Sequence, residues 1–136
     1  MTTPMSNEIY WLLLTILMTS LFWMPYIINR IAEQGIFNAL WDPFGDTHTE
    51  KAWARRMMDA HANAVENLVV FAPLVLLIEM TGMNSIMTTT ACTVYFFTRL
   101  THFFVFTFAV PLLRVVTFLI GFGMQATLAL TLLDIV

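Results

Sequence analysis

Charged residues are scarce in this sequence. Only 11% of its 136 residues are charged, six basic and nine acidic, while 59% are hydrophobic and the mean hydropathy is +0.77. Soluble domains carry about 25% charged residues, and a small domain cannot bury so large an apolar fraction of its chain. The composition therefore excludes a soluble or disordered protein. With so few basic residues, nucleic acid is not an expected partner.

Cysteine is scarcer still, because Cys92 is the only one. A single cysteine excludes an internal disulfide framework and a metal site built from several cysteines. No set of histidine, cysteine and carboxylate residues shows the spacing of metal ligands, so no metal cofactor is expected. Cys92 is predicted to be a small buried residue.

The few charges divide the chain into apolar segments. Ten of the fifteen lie between Arg30 and Glu66, and the three longest uncharged stretches outside that region are residues 9–29, 80–98 and 115–133. A helix crosses a bilayer core with about 20 apolar residues. Three membrane-spanning helices are therefore predicted.

A fourth span is less evident. The apolar run Leu68–Ile78 is too short to cross a bilayer alone, since a crossing takes about 20 residues. If this helix ends near Met80, the crossing begins near Ala60. That placement puts Asn63 and Glu66 inside the membrane.

The sequence thus predicts an all-α protein, an integral membrane four-helix bundle with antiparallel up-down topology, formed by a single domain of residues 1–136. The predicted helices are 7–33, 52–80, 85–108 and 112–134. Residues 34–51, which include Pro43, are predicted to form a surface loop. Pro25 and Pro73 fall within predicted helices and are expected to kink them.

Basic residues predict the orientation, because cytoplasmic loops carry an excess of lysine and arginine. Five basic residues lie at or near the ends of the first and third loops, and none lies at the termini or in the second loop. Both termini are therefore predicted to lie outside the cytoplasm. The five are Arg30, Lys51, Arg55, Arg56 and Arg114.

Glu66 and Arg99 fall at the same predicted depth. Each lies 14 residues from the outer end of its helix, at Met80 and Ser85 respectively, which is about 21 Å at 1.5 Å per residue. Ionisable groups inside a membrane are costly and mark functional sites by default. The two are predicted to form or share one polar site, and a purely structural clasp between helices is the alternative.

Helical spacing gathers further polar residues around this level. One face of the second helix carries Arg56, Asp59, Asn63 and Glu66, and one face of the third carries Tyr95, Arg99, His102 and Phe106. Arg30 ends the first helix and Arg114 begins the fourth. The pattern predicts a site open toward the cytoplasm, whereas Lys51 and Arg55 are better interpreted as interfacial anchors.

Three segments resemble the motifs of one family, the MAPEG proteins (membrane-associated proteins in eicosanoid and glutathione metabolism). The segment R-x-x-D-A-H-x-N-x-x-E at residues 56–66 looks like the family signature, and Y-x-x-x-R-x-x-H at residues 95–102 is similar to its second motif. The segment R-V-V-T-F-L-I-G at residues 114–121 looks like the third. The short chain and plain loops resemble the bacterial branch of the family.

The resemblance implies a homotrimer that binds glutathione between neighbouring subunits, near the cytoplasmic face of a bacterial inner membrane. Arg114 stands where the family's arginine stabilises the glutathione thiolate, and it is the implied catalytic residue. The implied glutathione-binding residues are Arg30, Arg56, Asn63, Glu66, Arg99 and His102.

The implied function is that of a membrane-bound glutathione-dependent transferase or peroxidase. Glutathione is the co-substrate and supplies the sulfur that attacks a lipophilic electrophile, so no metal is needed. The sequence departs from the family pattern at Asp59, where arginine is usual, and at Asn67 and Phe106, where several members have tyrosine. These departures leave open a non-catalytic lipid-binding or scaffold role. A small transporter is the third class, but no inverted repeat supports it.

Overall fold

The computed structural model describes residues 3–42, 45 and 48–136, and every regular element in those ranges is a helix. The helices are α1 (Asn7–Leu21), α2 (Met24–Gln34), α3 (Ile36–Leu40), α4 (Ala52–Thr81), α5 (Ile86–Thr107) and α6 (Pro111–Leu132). The predicted all-helical class is therefore correct for the part of the chain that the structure describes.

The first predicted helix, residues 7–33, is two helices rather than one. α1 ends at Leu21, and α2 begins at Met24 with Pro25 in its first turn. Proline is well tolerated there, because a first-turn N–H has no partner within the helix. Pro73, by contrast, lies inside α4, which continues through it.

The predicted loop of residues 34–51 contains the short helix α3. Gly35 joins it to α2 with a φ of 82°, a left-handed backbone angle that favours glycine. Pro43, which the loop prediction included, lies outside the described residues.

Three segments are long and apolar enough to cross a membrane, namely Asn7–Gln34, Ala52–Thr81 and Pro111–Leu132. The helix α5, which the charge pattern predicts to span the membrane, is not among these three segments, whereas α4 is. The charge pattern does not register the seven threonines of α5, which are polar but uncharged. Several of their hydroxyls donate to the carbonyl four residues earlier, as at Thr90, Thr93 and Thr101. These polar groups are thus satisfied within the helix, which an apolar environment demands.

Two clusters of buried side chains hold the helices together. In the first, the Phe71 and Tyr95 rings stack with their centroids 3.7 Å apart, and Cys92 is fully buried beside them, as predicted. In the second, Phe22 stacks on Phe103 at 3.7 Å. The second cluster includes small buried residues of α4 such as Ala60, which let neighbouring helices approach closely.

Hydrogen bonds fasten the N-terminus to the turn between α4 and α5. The buried carboxylate of Glu8 accepts from the Thr88 and Thr89 hydroxyls at 2.6 and 3.0 Å. The Ser6 hydroxyl donates to Glu79 at 2.6 Å. We call this group the terminal clasp. It joins three helices at one end of the structure and leaves the other end to the polar residues described next.

Candidate functional site

Arg99 is a buried cation with no acidic partner. Its side chain belongs to α5, is 3% exposed, and donates from Nη2 to Asn63 Oδ1 on α4 at 2.6 Å. Its Nε has no hydrogen-bond partner, and among the described residues no carboxylate lies within ion-pair distance of it. A buried charge without a counter-charge is strongly disfavoured. The guanidinium is therefore placed to receive an anion.

Close packing of α6 over α5 holds the Arg99 side chain in place. Gly121 lies against it, and a Cβ at this glycine would stand 3.4 Å from Arg99 Cδ and 3.9 Å from Tyr95 Cε2. The absence of a side chain thus gives the arginine stem and the Tyr95 ring room beneath α6. Tyr95 is itself held by its stack on Phe71.

His102 lies one turn beyond Arg99 on α5 and is 2% exposed. Its Nδ1 lies 2.8 Å from the Thr117 hydroxyl of α6, and its Nε2 has no partner. The rings of Phe106 and Phe118 flank it, with centroids 5.8 and 6.1 Å away. The imidazole is thus fixed at one nitrogen and open at the other.

One cavity brings His102 together with residues of α4 and α6, and Arg99 lies outside its lining. It has a volume of about 170 Å³ and is lined by Asn63, His102, Phe106, Arg114, Val115 and Phe118. The Arg114 guanidinium lies 5.1 Å from the centre of the Phe106 ring, a favourable cation–π contact, and its side chain is exposed. Helices α4, α5 and α6 therefore supply an amide, an imidazole nitrogen and a cation to a common space.

A chain of amide contacts extends the site toward the terminal clasp. Asn67 donates to the Asn63 carbonyl at 2.8 Å, and Gln125 donates to the Asn67 carbonyl at 3.1 Å and to the Tyr95 hydroxyl at 3.5 Å. Sequence reasoning missed Gln125 and Thr117, because it tracked charges and both are neutral. A polar residue within a long apolar span is the signal that identifies them.

Glu66 and Arg99 do not meet within one chain. Arg99 binds Asn63 instead, one turn earlier along α4. The Glu66 side chain is exposed and has no hydrogen bond or ion pair with the described residues. Counting residues along a helix gives the depth of a side chain to within about one turn. A turn is 5.4 Å, which is enough to change the residue that Arg99 binds.

Two further predicted site residues are engaged elsewhere. Arg30 forms an ion pair with Asp42, and Arg56 donates from Nε to the Thr107 carbonyl at 2.8 Å, where α5 ends. The last carbonyls of a helix lack partners within it, so this contact caps α5. Neither arginine lines the cavity of Arg114 and His102.

The fold and the site define a helical integral membrane protein with a largely apolar cavity between three of its helices, at which Arg114 places a cation. The sequence profile of the MAPEG family matches residues 9–133, and the chain belongs to the MAPEG family. The family predicted from the three motifs is thereby confirmed. No curated protein and no solved structure matches the chain significantly.

Proposed function

We propose that the protein is a glutathione-dependent transferase or peroxidase that acts on lipophilic electrophiles. The buried Arg99, which has no counter-charge among the described residues, carries the proposal, because it calls for an anionic ligand beside Asn63, which lines the cavity. Glutathione has two carboxylates, one ammonium and one thiol. The MAPEG family includes enzymes of this kind.

Each part of glutathione has a complementary group in or near the cavity. Arg99 can bind a carboxylate through two parallel N–H donors, and its free Nε is one of them. Glu66 can pair with the ammonium, and Asn63 and His102 offer polar contacts. A free thiol has a pKa near 8.5, which a neighbouring cation lowers. Arg114 is the cation at the cavity that serves this purpose.

The electrophile reaches the cavity from the bilayer in this proposal. Phe106, Val115 and Phe118 form an apolar wall beside the polar groups. A lipophilic substrate can pack on this wall while the sulfur of glutathione faces the substrate. Arg30, which is paired with Asp42, and Arg56 lie outside the cavity lining and are proposed to support glutathione binding from its surroundings.

We propose further that the whole chain forms one four-helix domain, with α5 as the fourth span, and that three copies assemble. Asp59, Glu66 and Arg114 are exposed, and none has an ion pair with the described residues. Charged groups facing lipid are costly, so a neighbouring subunit is expected to cover them. Native mass spectrometry in mild detergent should give trimers, and a spectrum of monomers alone would contradict the assembly.

The proposed location is a bacterial inner membrane with both termini outside the cytoplasm. The basic residues at the ends of the first and third loops support this orientation. The glutathione site then opens toward the cytoplasm.

Glutathione is expected to raise the melting temperature of the detergent-solubilised protein, and the Glu66→Gln variant should respond much less. A ligand at about 100 times its Kd stabilises the folded state by about 2.7 kcal/mol. Loss of a charged contact costs about 1.5–3 kcal/mol, which weakens binding by about 10- to 100-fold. Thermal unfolding across a glutathione titration measures both quantities.

Glu79→Gln provides the matched control for this experiment. It makes the same change of charge in the terminal clasp, where Glu79 accepts from Ser6 and Asn84. Its response to glutathione should equal that of the wild type. An equal response of Glu66→Gln would remove Glu66 from the site, and no response of the wild type would contradict the proposed function.

The apolar groove between α4 and α6 favours a second candidate, a non-catalytic lipid-binding or scaffold role. The groove has a volume of about 380 Å³, and most of its lining residues are apolar: Val70, Leu74, Phe122, Gln125, Ala126, Ala129 and Leu130. It can hold an acyl chain. Lipid that co-purifies with a protein unable to bind glutathione would support this role, and glutathione turnover that Arg114→Ala abolishes would exclude it.

A further inference from the structure

The hydrogen bonds around Thr117 determine which nitrogen of His102 carries a proton. The Thr117 hydroxyl lies 2.7 Å from the Leu113 carbonyl and 3.2 Å from the Arg114 carbonyl. Carbonyl oxygens only accept, so the hydroxyl donates its single hydrogen in their direction. In this arrangement it accepts from His102, which donates from Nδ1 at 2.8 Å. The neutral ring therefore carries a lone pair on Nε2.

The lone pair on His102 Nε2 has no donor in the described structure. The nitrogen is buried and lacks a hydrogen-bond partner, and its side chain lines the cavity that also holds Arg114 and Asn63. A buried polar atom is rarely left unpaired. This nitrogen and Arg99 Nε are the two such side-chain atoms found in the described residues, and they lie one helical turn apart on α5.

We propose that His102 Nε2 is the general base that takes the proton from the glutathione thiol, an assignment that rests on the proposed function. The S–H bond breaks, an N–H bond forms at Nε2, and the electron pair stays on sulfur. The thiolate then forms a carbon–sulfur bond with the electrophile. The group that the sulfur displaces leaves with the electron pair of its broken bond to that carbon. It then takes the proton back from Nε2.

Bound glutathione switches this base on. Among the described residues, the charged groups that act on His102 are Arg99 on its own helix and Arg114 from α6, while α4 presents the neutral Asn63. In the empty site the two cations oppose a third positive charge on the imidazole. The two carboxylates of glutathione offset them when it binds, and the thiolate offsets the new imidazolium. Thr117 acts as a positioning residue, because it holds the tautomer that leaves Nε2 free.

Nitrogen NMR of histidine-labelled wild-type protein tests the assignment with two ligands. With S-methylglutathione, which has no thiol proton, His102 should stay neutral and protonated at Nδ1 alone. With glutathione, it should become protonated at both nitrogens. His48 and His61 should not differ between the two ligands, and the variants His48→Gln and His61→Gln identify their signals.

Turnover and thiolate absorbance of the variants complete the test. His102→Gln keeps a polar side chain at the cavity and should still bind glutathione, yet lose the thiolate absorbance at neutral pH and about 10²- to 10⁴-fold in kcat. Thr117→Val should lower kcat without changing KM and should shift the pH profile, while Thr117→Ser should restore both.

The outcomes separate this inference from the proposed function. Absence of glutathione binding by the wild type overturns both. Glutathione binding and turnover with a neutral His102, or with equal thiolate absorbance in His102→Gln, overturns the base alone. If His102→Gln does not fold, the two-ligand NMR comparison on the wild type still decides.

Discussion

Replacing Arg99 by methionine is expected to raise the melting temperature of the ligand-free protein and to abolish its stabilisation by glutathione. Arg99 is 3% exposed and has no counter-charge among the described residues. Apolar residues of similar volume that replace buried charges often stabilise a fold, by about 1–4 kcal/mol. Asn63, which loses its contact with Arg99, keeps a contact with Asn67 at 3.4 Å. Arg99 therefore serves ligand binding at the expense of the stability of the ligand-free protein.

Thermal unfolding in detergent, with and without glutathione, measures both effects in one experiment. At about 100 times the Kd, glutathione should stabilise the wild type by about 2.7 kcal/mol and the Arg99→Met variant not at all. Arg55→Met is the control, since Arg55 is exposed and its one side-chain hydrogen bond within the described residues is to the Thr49 carbonyl, at 3.4 Å. A variant at Arg99 that melts earlier and still responds to glutathione would contradict the assigned role.

Arg114→Ala is expected to lower kcat by about 10²- to 10³-fold, the usual cost of removing one group that stabilises a developing anion. Glutathione affinity should change little, because Arg99, Asn63 and Glu66 hold the peptide part in the proposed mode. The fold should also be retained. Arg114 is exposed, and its cation–π contact with Phe106 contributes only about 0.5–1 kcal/mol at such a site.

Arg114→Lys separates charge from geometry in the same assay. Lysine keeps the positive charge but loses the planar fork of donors, so it should recover part of the thiolate absorbance and part of kcat. Calorimetric titration with glutathione checks that binding survives in both variants. Full activity in Arg114→Ala would show that another group stabilises the thiolate.

The positions of the charges located two of the three apolar segments, Asn7–Gln34 and Pro111–Leu132, and the neighbourhood of the site. Asn63, Arg99, His102 and Arg114 do gather around one end of the structure, as helical spacing indicated. Their partners could not be predicted in the same way. Whether Arg99 binds Asn63 or Glu66 depends on the rotation of α4 within a single turn, and periodicity does not resolve that.

Local loop chemistry limited the prediction in a different way. The place of Arg30 at the end of the first helix indicates the glutathione site. In the structure, the segment after α2 brings Asp42 close to Arg30, and the two side chains form an ion pair. The break before Pro25 and the helix α3 arise from local backbone geometry around a proline and a glycine. Thr117 sets the His102 tautomer, and Gln125 completes the amide contacts. Neither residue carries a charge, so the charge pattern does not identify them.

The terminal clasp has a mechanical consequence. Because Glu8, Thr88 and Thr89 tie α1 and α5 together at one end, relative tilting of these helices pivots there. His102 lies 17 residues from Ser85, about 25 Å from that pivot at 1.5 Å per residue. At this lever arm, a tilt of about 5° moves a side chain by about 2 Å. A small tilt of α5 about the anchored end can therefore shift His102 while every bond of that end stays intact.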